Sequence, residues 1–156
     1  YVLRRVEEAS PIYKEIYSGY LRLLGAEHKN TILLANNYAT SLISLERFEE
    51  AKVLLRKTMP VARRVLGEGC EATLIIRLNY AKAFYRDTGA THDDLREAVT
   101  TLEELETTAR RVLGGSYPTT VTIEASLQDA RAALRAREAP EVLQTADDLA
   151  AHFEGL

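Results

Sequence analysis

Apolar positions in this chain recur with a helical period. From Ile32 onward, Leu34, Ala35, Tyr38, Ala39, Leu42 and Leu45 fall on one face of a 3.6-residue spiral. From Phe48 onward, Ala51, Leu54, Leu55, Thr58, Ala62, Val65 and Leu66 do the same. The polar residues punctuate these runs as helices require. Glu49 and Glu50 sit in a first turn, Arg63 and Arg64 in a last turn, and Gly67 follows as a stop. Extended along the chain, the pattern predicts an all-α fold of about seven helices, near 2–24, 31–45, 47–66, 71–87, 92–113, 119–136 and 138–153. No segment has the alternation of a strand, although Thr119 to Ile123 is locally rich in β-formers. Pro11 stands early enough in its helix to be tolerated or to bend it mildly, whereas Pro60 is predicted to kink the third helix.

The same landmarks return at a fixed interval. Leu24-Gly25 recurs as Leu66-Gly67, 42 residues on, and as Leu113-Gly114, a further 47 on. Arg63-Arg64-Val65-Leu66-Gly67 reappears as Arg110-Arg111-Val112-Leu113-Gly114, and Asn37-Tyr38-Ala39 as Asn79-Tyr80-Ala81. Thr31, Thr73 and Thr120 keep one offset, as do Ala9, Ala51, Ala98 and Ala139. A shared register across independent landmarks is the signature of a stacked repeat. The longer interval places about five extra residues near 88–93, in a stretch of Gly, Thr and Asp that reads as a long, mobile connection. The units are then 1–24 (a second helix without its first), 25–66, 67–113 with the insertion, and a degenerate last unit, 114–156. Ala39, Ala81, Ala51 and Ala98 are expected to be buried where helices approach closely.

Composition narrows the function classes. The 156 residues suffice for one domain, and 46% hydrophobic with 28% charged is ordinary for a folded chain. Twenty basic against 23 acidic residues leave a net charge of −3, which gives no general drive toward nucleic acid or an anionic membrane. No apolar run is long enough to span a bilayer. The lone cysteine, Cys70, forms no internal disulfide and fits a reducing, cytoplasmic setting. The chain opens on Tyr1, and further repeats are expected before it.

Glu7-Glu8-Ala9-Ser10-Pro11-Ile12-Tyr13, Leu24-Gly25-Ala26-Glu27-His28-Lys29-Asn30-Thr31 and Asn36-Asn37-Tyr38-Ala39 together resemble the 42-residue tetratricopeptide repeat of kinesin light chains. The resemblance covers nearly the whole chain and weakens toward its end. There Cys70 and Tyr117 stand in place of His28, and Ser126 in place of the asparagine. It implies a right-handed solenoid of helical hairpins whose first helices line a concave groove for peptide segments. Carried over position by position, it implies groove roles for Asn37 and Asn79, with Thr40, Lys82 and Asp129 one turn on and Asn36 and Arg86 flanking. Ser126 takes the asparagine position of the last unit.

Each of these residues also has a plainer role open to it. Asn37 and Asn79 could hydrogen-bond within the stack, and Lys82 and Arg86 could form a solvated charged face. The paired arginines recur at helix ends, which favours complementing the helix dipole over contacting a phosphate backbone. His28, His92 and His152 share no metal-ligand spacing, and Gly67-Glu68-Gly69 lacks the lysine and hydroxyl of a phosphate loop. The resulting expectation is a non-enzymatic adaptor or scaffold that takes a protein or peptide ligand, without cofactor, metal, nucleic acid or membrane. The alternatives are a structural subunit packed permanently in a larger assembly, or the repeat region of a longer protein. Oligomeric state is left open.

Overall fold

A computed structural model describes the backbone of residues 2–154, with side chains described for 2–139 and 150–152. The described residues form six helices: α1 (Val2–Leu24), α2 (Lys29–Ser44), α3 (Phe48–Leu66), α4 (Glu71–Tyr85), α5 (His92–Val112) and α6 (Pro118–Glu154). No strand occurs among them, and Thr119 to Ile123 lie in the first turns of α6.

Helix ends follow the repeat. Gly25, Gly67 and Gly114 have φ of 82°, 95° and 92°, a conformation in which a side chain is strained, so the recurring Leu-Gly pair stops α1, α3 and α5. Two of the three repeat threonines then tie a new helix to the one before it. Thr31 Oγ1 donates to the Tyr20 carbonyl at 3.5 Å, and Thr73 Oγ1 to the Ala62 carbonyl at 3.3 Å. Thr120 is equally buried, but its hydroxyl finds no hydrogen-bond partner among the described residues. His28 caps α2 by accepting from the Asn30 amide at 3.2 Å, whereas Cys70, at the same position of α4, makes no such bond. The turn before α6 is held differently. Tyr117 and Thr119 both donate to the Glu71 carboxylate, at 3.1 and 2.6 Å.

Two helix expectations need correction or refinement. The segments predicted at 119–136 and 138–153 lie in one continuous helix, α6. Between Ala130 and Glu138 the chain is Ala, Arg and Leu alone, strong helix formers with no glycine to supply a turn. In contrast, α2 and α3 are separated by Glu46, which takes φ 59° and turns the chain. Pro60 lies inside α3, which runs unbroken from Phe48 to Leu66. Its ring is exposed, so the backbone bond it forfeits lies on the solvent side.

Packing is between neighbours. Every helix packs against the next, and α4 additionally touches α2 and α6, whereas α1, α3 and α5 make no contact with one another. The first helices α2, α4 and α6 therefore form one row, here called the inner row, and α3 and α5 each pack between two of its members. Ala39, Ala51, Ala81 and Ala98 are all buried, each 1% exposed or less. Around them Ile32, Leu42, Leu55, Leu74, Phe84, Leu102, Leu105 and Ile123 make a continuous core.

The connection at 86–91 is the longest between helices, where extra residues were placed, but it is not a loose spacer. Ala90 is buried, and Arg137 from α6 donates to the carbonyls of Thr88 and Ala90 at 2.9 and 2.7 Å. Thr91 and Asp94 form a reciprocal capping box that starts α5. Asp87 accepts from the Gly89 amide at 2.9 Å and from buried Lys52 at 3.0 Å. The extra length is thus tied by hydrogen bonds to α3 and α6.

Candidate functional site

The eight residues singled out by register all lie on α2, α4 and α6 or at the end of α4, and the fold sorts them by environment. Asn37, Thr40, Arg86 and Asp129 are exposed, Asn36 and Lys82 are half-buried, and Asn79 and Ser126 are buried. Asn79 spans the seam between α4 and α2. Its Nδ2 donates to Asn36 Oδ1 at 2.8 Å and to Thr40 Oγ1 at 3.1 Å, while Thr40 itself donates to the Asn36 carbonyl at 2.9 Å. Ser126 occupies the equivalent seam between α6 and α4, where it hydrogen-bonds Tyr85. Asn37 occupies the same repeat position on α2, before which no first helix stands among the described residues, and is exposed. The asparagine position is thus a junction between units wherever a preceding first helix exists.

Charge along this face is mixed. Burial, reinforced by neighbouring Arg86, pushes the Lys82 ammonium below its ordinary pKa. Arg86 caps the carboxyl-terminal end of α4, where the helix dipole favours a cation. Burial raises the Tyr85 phenol, and Asp129 acts in the same direction, while the Ser126 hydrogen bond and Arg86 oppose them. Beside Tyr85 and Arg86 a cavity of about 380 Å³ opens between the end of α4, the 86–91 connection, Ala133 and Ala136. The face combines carboxamide, hydroxyl and both signs of charge over an ordered seam, a surface suited to meeting a polar chain segment.

A second cleft was not foreseen from register. It lies between α1 and α3, with α2 as its floor, and holds about 530 Å³. Tyr17, Leu21, Tyr38, Leu42, Val53 and Leu54 line it, with Lys14, Lys57, Glu49 and Glu50 at the rim. The next pair of second helices shows why it is open. There Phe84 stands in the place of Leu42, Arg56 in the place of Lys14 and Lys52 in the place of Ser10. The Arg56 guanidinium sits 5.6 Å from the centre of the Phe84 ring, and Lys52 sits 4.8 Å from it. Three differences at equivalent positions leave the α1–α3 cleft open, a signal readable only by aligning units against each other.

The paired arginines do not form a free basic stripe. Arg63 pairs with Glu68, Arg64 with Glu27, and Arg110 with both Glu106 and Glu124. Among the described residues, no group of three or more His, Cys, Asp and Glu could hold a metal ion. Nor is any helix among them long and apolar enough to cross a membrane. Compared with protein-family models and with curated proteins, the chain matches none.

Proposed function

We propose that this chain is a non-catalytic, cytoplasmic adaptor of the tetratricopeptide kind, binding a protein or peptide along the face of α2, α4 and α6. The observation that carries this reading is the inner row itself. Three first helices packed in succession, α2 on α4 and α4 on α6, align the equivalent positions of successive units, so an extended ligand meets one polar group per unit. The seam bonds of Asn79 and the burial of Ser126 hold that row rigid beneath the exposed Asn37, Thr40, Arg86 and Asp129. The resemblance of the 42-residue units to those of kinesin light chains supports the same reading. It adds the expectation of a right-handed superhelix with this face concave.

The test is a selection of ligands from a displayed peptide library with the full chain, followed by affinity measurement on variants. Replacing Asn37 and Arg86 together by alanine removes one neutral and one charged contact, about 2–4.5 kcal/mol in sum if both are engaged. Affinity should fall at least tenfold, with the melting temperature held because both side chains are exposed. Ligands that bind the double variant unchanged would remove the reading.

A second reading, as a permanently packed structural subunit, is favoured by one observation. Val53, Val65 and Val112 on the outer helices are 50%, 40% and 46% exposed, apolar side chains that a neighbouring subunit could cover.

A further inference from the structure

Arg77 of α4 is 6% exposed, and its guanidinium reaches Glu68, just past α3, at 3.7 Å and Glu104 on α5 at 3.2 Å. One unit earlier the same three positions hold Ala35, Ala26 and Lys57. The long side chain and both of its carboxylates are gone, and a cation stands where one carboxylate was. Beside Ala35 lies a chamber of about 150 Å³, walled by Tyr17, Leu21, Ile32 and Val61. It adjoins the α1–α3 cleft of about 530 Å³, with which it shares Tyr17, Leu21 and Lys57. Together they follow α2 from Thr31 to Leu42, about 16 Å of helix. A first helix packed before α1 would stand to α3 as α2 stands to α5, and α2 makes no contact with α5. The space is therefore set by α1, α3 and their floor.

We propose that chamber and cleft form one binding site for a small amphiphilic carboxylate, an unbranched acyl acid. Its tail enters the chamber, and its head lies in the cleft by Lys14, Lys57 and Tyr38. The chamber has no polar group to offer, because Thr31 already donates to the Tyr20 carbonyl and Thr58 to the Leu54 carbonyl. A peptide backbone threaded there would lose water without gaining partners, whereas a hydrocarbon would not. The cleft has the opposite character. Its acids are engaged, Glu49 by Lys52 at 2.7 Å and Glu50 by two nitrogens of Arg47 at 2.7 Å. Lys14 and Lys57 form no ion pair among the described residues, and Lys14 meets Glu50 only as a more distant charge. Tyr38 lines the cleft and is 8% exposed, yet its hydroxyl makes no hydrogen bond among the described residues. Its counterpart Tyr80 donates to Glu97 at 2.7 Å. Burial raises the Tyr38 phenol above the ordinary 10.0, which keeps it protonated as a donor. A buried donor without an acceptor, beside two unpaired ammonium groups, matches a carboxylate. The site uses Ile32, Ala35, Tyr38 and Leu42 of α2, not the polar Asn36, Asn37 and Thr40, so it is separate from the peptide face and does not rest on that reading.

Calorimetric titration of the full chain with decanoate tests the proposal, with decyltrimethylammonium as the cationic control. One decanoate should bind per chain, and the ammonium at least about tenfold more weakly. Ala35→Leu refills the chamber with an apolar side chain. Decanoate affinity should then fall at least about tenfold, while the melting temperature of the ligand-free chain holds or rises. Lys57 is exposed, so Lys57→Glu should keep the fold, weaken decanoate at least about tenfold and remove the preference over the ammonium. Tyr38→Phe deletes only the hydroxyl and should weaken decanoate about tenfold. Absence of saturable decanoate binding overturns the proposal, as does binding that survives Ala35→Leu or is equal for the two head charges. A displayed peptide that binds the chain and is lost on Ala35→Leu, where decanoate does not bind, would also overturn it, assigning the space to a protein partner.

Discussion

Asn37 and Asn79 share a repeat position, and their difference shows how far a residue's role depends on the neighbour that faces it. Asn79 is held by two hydrogen bonds across a seam. Replacing it by alanine should cost about 1–3 kcal/mol, because the bonds vanish and two acceptors lose their donor. Asn37→Ala should leave stability within about 0.5 kcal/mol. Urea unfolding of the two variants separates them directly. The recurrence of Asn-Tyr-Ala was legible in the sequence, and so was its place on a first helix. Whether the carboxamide meets solvent or α2 was not, because that depends on which helix precedes it in space. Glu46 offers a second residue-level case. It holds φ at 59°, where a side chain crowds the backbone. Glu46→Gly should therefore raise stability by about 0.5–1 kcal/mol, read as a higher melting temperature.

Among the elements, the link between α4 and α5 makes the sharpest expectation. Asp87 joins it to α3 through Lys52, whose side chain is 5% exposed. Burial works against both charges. On Lys52, hydrogen bonds to Glu49 and Asp87 outweigh it and raise the ammonium pKa above the ordinary 10.5. On Asp87, Lys52 and the Gly89 amide outweigh it and hold the carboxyl below the ordinary 3.8. The lowered carboxyl contributes stability that is present above 3.8 and lost as pH falls through the folded-state value below it. The raised ammonium contributes stability that is lost only as pH climbs past 10.5. Asp87→Asn should therefore be about 1.5–3 kcal/mol less stable than the parent at neutral pH, with the gap closing in strong acid. Melting curves at both pH values check it. The extra length of this link was visible as a break in the repeat interval, but its anchoring was not. The arginine that holds it, Arg137, lies far along the chain, on a helix whose continuity the register did not anticipate. Register had divided that stretch in two, and local composition kept it whole.

For the molecule as a whole, connectivity between neighbours decides what opens first. α4 is surrounded by α2, α3, α5 and α6, and α1 is held by α2 alone. Amide exchange should be slowest in α4 and fastest in α1, with α3 and α5 between. Uniform protection across all helices would contradict this ordering. The alanines at helix crossings and the positive-φ glycines made the order of stacking readable in advance. The open α1–α3 cleft was harder to see, because it arises from smaller side chains at three places where the next unit has larger ones. One feature of the packing reaches beyond binding and stability. Since α3 and α5 are each wedged between two first helices, the units are joined through those wedges as well as along the inner row. A pull along the stack would have to draw each wedge from its seat as well as part the row. Such a body resists stretching with two layers of contact at every joint, as a keystone shares its load with the blocks on either side.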